Sequence, residues 1–266
     1  PGWAAGAGAA ISLAAGLALA GRKVLVYAIA PFVTLRCLEQ IRVDLCYRNL
    51  PVVVVGVGAG LTYGPAGPTH HLIEDIGVLN CLPNMTIFCP ADTFETAAAL
   101  RAGLALSGPS YLRLGKSGEP VVHDGRPGFQ VGRGLSLQTG SDLAILATGN
   151  MVAPAVEVAA RLAEQHGASV ELVSMPTVKP IDRELIVSLA KRFPLLVTME
   201  EHNLLGGFGS IVADTMMAAG CGGTRLLKFG IPDTYSHLAG SQEYLREQYG
   251  LAPSQMVRRI ISSLAG

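Results

Sequence analysis

The sequence has few charged side chains and no excess of either sign. Of its 266 residues, 15% are charged, and 20 basic side chains balance 20 acidic ones. Because balanced charge gives no electrostatic attraction to a polyanion, we expect no nucleic acid and no membrane as the main partner. Half of the residues are apolar, which is enough to bury the cores of two domains and excludes a disordered chain. A small-molecule substrate or a protein partner is expected instead.

Cysteine is scarce, and its spacing is not that of a metal site. The five cysteines are odd in number and include no CxxC pair; they are Cys37, Cys46, Cys81, Cys89 and Cys221. They lie in apparent strands and helices, which predicts buried thiols in a reducing compartment and no metal site. The sequence therefore predicts a cytoplasmic protein.

Several motifs of nucleotide-binding and hydrolytic proteins are missing. There is no GxxxxGK[ST], no HExxH and no GxSxG. Gly6–Gly8 and Gly56–Gly58 each begin a dinucleotide-binding fingerprint, but Ile11 and Leu61 occupy the position of its third glycine. These departures disfavour nicotinamide or flavin binding and exclude a P-loop.

The first twenty residues carry no charge and are rich in Ala and Gly. No basic segment precedes them, and Ala and Gly have weak lipid affinity, so we predict neither a signal peptide nor a membrane span. A helix packed between protein surfaces is the favoured interpretation. The apolar start also suggests a chain that corresponds to one half of a larger protein.

What the sequence does contain is a repeated alternation of strand and helix patterns. In the first half, strands are predicted over 23–30, 51–58, 85–90 and 110–114, and helices over 32–47, 72–82 and from 92 onward. In the second half, strands are predicted over 142–149, 169–175, 195–199 and 225–229, and helices over 152–166, 182–192, 206–219 and 253–264. This alternation predicts an α/β fold of two tandem α/β sandwich domains with mainly parallel sheets. The predicted domains cover 1–117 and 141–266, with a linker containing short β pieces over 118–140.

A long loop with two histidines follows the buried strand pattern that begins at Val52. Parallel sheets place ligands beyond the carboxyl ends of their strands. His70 and His71 end this loop, and Arg113 and Lys116 close the last strand of the same domain. A phosphate or carboxylate would bind there. One histidine is expected to serve the site; alternatively, one caps the following helix and the other is solvated.

A second glycine-rich segment follows a strand of the second domain. Glu200, Glu201 and His202 precede Gly206–Gly209, where a helix is predicted to begin. The backbone N–H groups of this turn either hold an anion or simply allow close packing of strand and helix. The sequence leaves both interpretations open.

Five segments occur in a defined order and spacing. They are LAAGLALAG (13–21), APFVTLRCLEQIR (30–42), GLTYGPAGPTH (60–70), LPNM (82–85) and PAD (90–92). Together they resemble the C-terminal half of a transketolase. In the second domain, 147–149 and 200–209 resemble the C-terminal domain of that family. The resemblance therefore covers nearly all of the chain.

The resemblance implies an enzyme whose thiamin diphosphate lies between domains of two subunits. This chain would supply the pyrimidine-binding domain plus the C-terminal domain, because it has no GDG...N motif. A separate partner chain carrying GDG...N would hold Mg²⁺ and the diphosphate, as in split, two-component transketolases, and an α2β2 heterotetramer is expected. The implied reaction transfers a two-carbon (ketol or acyl) unit from a ketose or a 2-oxo acid.

The resemblance also implies an aminopyrimidine pocket around Phe32. Phe32 matches the aromatic position that stacks on the ring, and a flat π-face holds a heteroaromatic ring at low entropic cost. Ile29 and Leu35 would line the same pocket. Arg36 and Gln40 would extend it along the helix.

The same comparison divides the loop residues into roles on the substrate side. His70 matches the family histidine that contacts the substrate and is the expected catalytic residue. His71 is expected to be only its neighbour. Lys116 matches a basic residue for the substrate phosphate, and Arg113 lies beside it in the sequence.

Three positions depart from the family pattern. Ala7 stands where the family carries the catalytic glutamate that bonds the aminopyrimidine, and alanine can neither donate nor accept that proton. Ala66 replaces an aspartate that recognises a sugar hydroxyl, and Gly58 replaces a histidine found in some members. We therefore expect a substrate that differs from an ordinary sugar phosphate.

Three interpretations of these departures stay open. The favoured one is an enzyme subunit, active only with its partner, whose cofactor activation is unusual or whose activity is reduced. The second is a non-catalytic or regulatory subunit. The third is that the first dozen residues do not represent the native segment. A 2-oxo acid dehydrogenase E1 beta-like subunit is a further alternative for the function.

Overall fold

The computed structural model describes residues 2–265, with side chains described over 6–264. It contains two five-stranded sheets, mostly parallel, flanked by helices. The first sheet contains β1 (Val24–Ile29), β2 (Val52–Val57), β3 (Thr86–Phe88), β4 (Ser110–Leu114) and β8 (Thr177–Lys179). The second contains β5 (Leu135–Gln138), β6 (Leu143–Ala147), β7 (Val170–Ser174), β9 (Leu195–Asn203) and β10 (Arg225–Ile231). The predicted α/β architecture is confirmed.

The first sheet is completed by a strand from the second half of the chain. Its order is β1-β2-β4-β3-β8, and the pairs β1–β2, β2–β4 and β3–β4 are parallel. β8 pairs with β3 in the antiparallel direction, with Lys179 opposite Ile87. The Lys179 ammonium also donates to Asn80 O (2.7 Å) and Leu82 O (2.6 Å) of the first domain. The two sheets are therefore interlocked.

The second sheet has the order β10-β9-β6-β7-β5. The pairs that join β10, β9, β6 and β7 are parallel, whereas β5 pairs with β7 in the antiparallel direction. β5 comes from the stretch 118–140 that was predicted to be a linker.

The helices cover both sheets; most of the predicted ones differ only at their ends, whereas α9 (Gln242–Gln248) was not predicted and the helix predicted over 32–47 is broken. They are α1 (Gly2–Leu19), α2 (Ala30–Val33), α3 (Leu38–Gln40), α4 (Asp75–Asn80), α5 (Thr93–Ala105), α6 (Val152–His166), α7 (Arg183–Arg192), α8 (Phe208–Ala218), α9 (Gln242–Gln248) and α10 (Pro253–Ala265). α1 buries Ile11, Ala14 and Ala18 and leaves Leu13 and Leu17 exposed. Within residues 2–265, none of the helices combines the length and the hydropathy that crossing a bilayer requires.

The single helix predicted over 32–47 is wrong. α2 is followed by a 3₁₀ turn (Leu35–Cys37), then by α3 and by a π-helical segment (Ile41–Tyr47). The first break falls at Thr34, whose hydroxyl donates to Ala30 O at 2.6 Å. A side chain that bonds the carbonyl four residues earlier competes with the helical backbone and bends it. Phe32 consequently lies on one short turn directly after β1.

The stretch after β4 is fastened to α5 by two carboxylates. Asp92 caps α5 by accepting from the N–H groups of Phe94 and Glu95. Its other oxygen accepts from the N–H groups of Val122 and His123. Glu95 Oε1 lies 2.7 Å from His123 Nε2 and accepts from Ser174 Oγ on β7 at 2.6 Å. These contacts join the first domain to β7 through the predicted linker.

All five cysteines are free thiols, and four of them are buried. Cys81, at the end of α4, is exposed, so the expectation of five buried thiols is wrong at this position. The cause is local: α4 ends at Asn80, and the chain turns along the surface before β3.

Candidate functional site

Three neighbouring strands of the first sheet end at the same level. Ile29 of β1 is paired with Val57 of β2, and Val57 with Leu114 of β4. The segments that follow these strands carry Phe32, the loop 58–72 and Lys116. The carboxyl edge of the parallel strands therefore gathers the predicted site segments, as is usual for α/β sheets.

Aromatic and cationic side chains contact each other at this edge. The Phe32 and His70 rings have centroids 5.4 Å apart at 73°, and the Tyr63 and His70 rings have centroids 6.5 Å apart. The Arg36 guanidinium lies 4.6 Å from the Phe32 ring centroid, and the Lys116 ammonium lies 5.7 Å from that of Tyr63. We call these five residues the edge cluster.

Tyr63 is the member of the edge cluster that was not predicted from the sequence. It is the only aromatic residue between the end of β2 and His70. A lone aromatic in a glycine-rich loop was the available signal, because such a loop offers little core for the ring to enter. Its ring contacts both His70 and Lys116 and so holds the cluster together.

The two histidines of the loop have different surroundings. His70 is partly exposed, with its Nδ1 3.0 Å from Thr69 Oγ1. His71 is buried, and its Nε2 lies 3.2 Å from Gly64 O. The alternative in which one of them caps the next helix is wrong, because α4 begins only at Asp75. His70 is the histidine that reaches the edge cluster.

Apolar side chains flank Phe32 on both sides in the chain. Ile29 is partly buried at the end of β1, and Leu35 is 37% exposed on the 3₁₀ turn. Ala7 lies on α1 and is partly buried against the hydrophobic core. Gln40, at the end of α3, would be 3.4 Å from a Cβ placed on Gly8, next to Ala7.

Gly58 and Ala66, the remaining loop positions, differ in the space available for a side chain. Gly58 has a φ of +86°, and a Cβ there would lie 1.9 Å from the ring of Tyr63. Ala66 is exposed on a 3₁₀ turn (Gly64–Ala66). A side chain is therefore accommodated at 66 but not at 58.

Arg113 does not present its charge to the edge cluster, contrary to expectation. Its side chain is buried, with Nε donating to Asp75 Oδ2 at 2.8 Å and Nη2 donating to Leu72 O and Glu201 O. Burial alone would lower the pKa of Arg113, but the charge of Asp75, the nearby Cys89 and Tyr111 and the hydrogen bond to Asp75 together outweigh it and raise the pKa. The local sequence held no signal of this, since Asp75 is 38 residues away. Arg113 thus forms a structural ion pair with Asp75. Of the two predicted cations, Arg113 and Lys116, only Lys116 is exposed.

In the glycine-rich segment of the second domain, a side chain of this chain occupies two of the N–H groups that could hold an anion. Glu200 accepts from Phe208 N (2.6 Å) and Gly209 N (2.8 Å) at the start of α8. Burial raises the pKa of this carboxyl group. The packing interpretation is favoured, because a Cβ on Gly207 would lie 2.3 Å from Glu200 Oε2 and a Cβ on Gly209 2.7 Å from Thr198 Oγ1. Across residues 2–265, moreover, no three His, Cys, Asp or Glu side chains form a group that could hold a metal ion.

Comparison with known proteins identifies the family. The profile described as "Transketolase, pyrimidine binding domain" matches residues 8–120, and "Transketolase, C-terminal domain" matches residues 132–256. The chain is 35% identical over 252 residues to one of the subunits of the apulose-4-phosphate transketolase of Actinobacillus succinogenes, a match that covers 95% of this chain and 80% of the relative. This chain belongs to the transketolase family. The resemblance to the C-terminal half of a split transketolase is confirmed.

Other proteins and solved structures similar to this transketolase-family chain support the same family. A putative transketolase C-terminal section from Methanocaldococcus jannaschii is 34% identical over 96% of this chain and 79% of its own length. A 1-deoxy-D-xylulose-5-phosphate synthase from Synechococcus is 40% identical over 94% of this chain, but over only 39% of its own length. The solved structure described as "Split gene transketolase, inactive beta4 tetramer" matches with a TM-score of 0.88 and 36% identity, covering 96% of this chain and 80% of that one. A transketolase mutant from Pichia stipitis, with a TM-score of 0.72 and 21% identity, shares the fold.

Proposed function

We propose that this chain is the smaller subunit of a two-component, thiamin diphosphate-dependent transketolase-like enzyme. It would supply the aminopyrimidine pocket and part of the substrate site for transfer of a two-carbon, ketol or acyl, unit. The observation that carries the proposal is the edge cluster, in which Phe32 and His70 contact each other at the carboxyl edge of a transketolase-family sheet.

The residues after β1 fit one half of a thiamin site. Phe32, Ile29 and Leu35 provide a partly exposed apolar surface of the kind that holds a flat heteroaromatic ring. A partner chain with a GDG...N motif would hold Mg²⁺ and the diphosphate. When bound, thiamin diphosphate supplies the carbanion-stabilising centre that two-carbon transfer requires.

On the substrate side, this chain contributes an imidazole and a cation. If the Thr69 hydroxyl donates to Nδ1 of His70, Nε2 carries the ring proton and donates to a substrate oxygen. Lys116, exposed beside Tyr63, places a positive charge where a substrate phosphate would bind. Two relatives are named for sugar phosphates, apulose-4-phosphate and 1-deoxy-D-xylulose-5-phosphate, which supports a phosphorylated substrate.

Donor recognition would differ from that of a transketolase with an aspartate in the loop. Ala66 is exposed and offers no acceptor to a sugar hydroxyl. We therefore propose a donor whose recognition relies on Lys116 and His70. An α2β2 heterotetramer is the expected assembly.

One observation favours a second candidate, a non-catalytic subunit. The position matched to the catalytic glutamate is Ala7, which is partly buried against the hydrophobic core. A chain that assembles with its partner but does not activate the cofactor would have such a residue.

The deciding experiment combines this chain with a partner chain that carries GDG...N. We expect them to purify together and to turn over a ketose phosphate only as a complex and only with thiamin diphosphate and Mg²⁺. Assembly without cofactor-dependent turnover would favour the non-catalytic candidate. Turnover of 2-oxo acids alone would favour the E1 beta-like alternative.

A further inference from the structure

The loop that carries His70 is closed at its base by a backbone bridge. Gly60 N donates to Leu72 O at 2.8 Å, and Leu72 N donates to Gly60 O at 3.0 Å. Gly60 and Leu72 are the two ends of the loop. Contacts that hold these two residues in place therefore also set the direction in which the loop leaves the sheet.

Glu201, on β9 of the second sheet, fixes one side of this base. Its Oε1 accepts from Leu61 N at 2.6 Å. A Cβ on Gly60 would lie only 2.5 Å from the same oxygen, so the loop backbone packs directly against the carboxylate. A residue of the second domain thus anchors a loop of the first.

The other side of the base is fixed through Arg113. Its Nη2 donates to Leu72 O at 3.1 Å and to Glu201 O at 3.0 Å. The side chain of Glu201 therefore contacts one end of the bridge, and its main chain is joined to the other end through one guanidinium.

The Glu201 carboxylate is itself held in one orientation. It is buried and accepts from Asn150 Nδ2 (3.2 Å), Gln242 Nε2 (2.8 Å) and Arg246 Nε (2.6 Å). Charge-assisted hydrogen bonds to a buried carboxylate are strong and directional. These donors come from the segment after β6 and from α9. The Glu201 carboxylate is therefore held by two segments of the second domain.

We propose that Glu201 is a positioning residue for His70. By fixing the base of the loop, it keeps the His70 ring in contact with Phe32. It acts through the loop backbone rather than on the substrate. The inference rests on the proposed function for the role of His70, while the anchoring itself can be tested without turnover.

Glu200 provides a matched control on the same strand. It is also a buried carboxylate, but it accepts from Phe208 N and Gly209 N and so holds α8. Removing either carboxylate costs buried hydrogen bonds of similar kind, but at different places in the chain.

The first test is hydrogen exchange of the chain in complex with its partner. In Glu201→Ala, peptides covering 58–72 should exchange about 10-fold faster or more, as expected for the loss of one buried charge-assisted hydrogen bond, while α8 keeps its protection. In Glu200→Ala, α8 should lose protection and the loop should keep it. Unchanged loop exchange in Glu201→Ala would overturn the proposal. If Glu201→Ala does not fold, Glu201→Gln replaces it: this variant keeps one acceptor oxygen but loses the charge that strengthens the bond from Leu61 N, so 58–72 should exchange faster by a smaller factor, and unchanged loop exchange there would likewise overturn the proposal.

The second test distinguishes positioning from general support. Glu201→Ala should lower kcat/KM for the donor by about 10-fold when His70 is present, but less than about 2-fold in a His70→Ala background, because coupled residues are not additive. Equal losses in both backgrounds would overturn the positioning role. Absence of turnover in the unmodified complex would instead refute the proposed function, and the exchange comparison alone would then decide the anchoring.

Discussion

The ring of Tyr63 occupies the space that any side chain at residue 58 would need. A Cβ on Gly58 would lie 1.9 Å from Cε2 of Tyr63, and the Gly58 backbone has a φ of +86°. The glycine at residue 58, where the resemblance implies a departure from the family, is therefore tied to the aromatic residue five positions later. Glycine at 58 allows Tyr63 to contact His70 and Lys116.

We expect Gly58→Ala to destabilise the protein more than the matched variant Gly67→Ala. Gly67 also has a positive φ, +76°, but nothing lies within 4 Å of its Cβ position, so alanine there adds only backbone strain of about 1–3 kcal/mol. At 58 the displacement of Tyr63 adds to that strain. Urea denaturation measures both free energies of unfolding. In a Tyr63→Ala background the excess cost at 58 should vanish, and equal costs in the unmodified background would contradict the clash.

Phe32→Ala should weaken thiamin diphosphate binding in the assembled complex. Loss of an aromatic contact costs about 1 kcal/mol or more, or roughly a 5-fold increase in Kd, measurable by calorimetry. Tyr47→Ala is the control, since this 85% exposed ring lies before β2, at the opposite edge of the sheet. Equal affinity of the Phe32 variant and the unmodified complex would rule out the assigned pocket.

Ala7→Glu tests the most consequential departure from the family. If residue 7 faces the aminopyrimidine, a restored carboxyl group should raise kcat by about 10²- to 10⁴-fold, the usual contribution of a positioned acid–base group. Ala10→Glu adds the same charge to the exposed side of α1 and should leave kcat unchanged. A rate that does not respond to Ala7→Glu would show that the catalytic glutamate is not matched at this position.

The contact between His123 and Glu95 should make stability depend on pH. The hydrogen bond to Glu95 raises the pKa of His123 above its ordinary value of 6.5, against the effect of burial. The folded protein therefore binds this proton more tightly than the unfolded chain, so the stabilisation is complete below about pH 6.5 and is lost as the pH rises through the folded pKa.

Comparison with His123→Gln measures this dependence directly. The difference in free energy of unfolding between the two proteins should be largest near pH 6 and should shrink at alkaline pH. A difference that is constant between pH 5.5 and 9 would contradict a protonated His123. The surface pair of Arg161 and Glu157, one turn apart on α6, is a suitable control, because exposed pairs contribute little.

Elements with a clear apolar pattern were predicted from the sequence, whereas β8 and α9 were missed. β2 and β6 are continuous apolar runs, and α6 has a strong helical period, so each was predicted within two residues of its observed ends. β8 has three residues and α9 has seven, too few for a period to be recognised. Their formation depends on partners far away in the chain, such as β3 for β8.

Site residues that lie in a recognisable motif could be predicted from the sequence. Contacts between residues far apart in the chain could not. Phe32, His70 and Lys116 were proposed from segments of recognisable spacing, and the structure brings them to one edge; their roles stay predictions. Arg113 was misjudged because the Asp75 carboxylate that takes its charge reaches it only in the folded chain. The link from Glu201 to the loop was invisible for the same reason, since Leu61 lies 140 residues before it.

The placement of β8 limits how this chain can be recombined with its relatives. A chimera joined within 118–140 would give the first sheet a foreign edge strand, and Lys179 would have to find the carbonyl groups of an unrelated α4 terminus. Such hybrids should assemble only when 177–179 are exchanged together with the first 117 residues. The two sheets must then be exchanged as one interlocked unit and not as two independent domains.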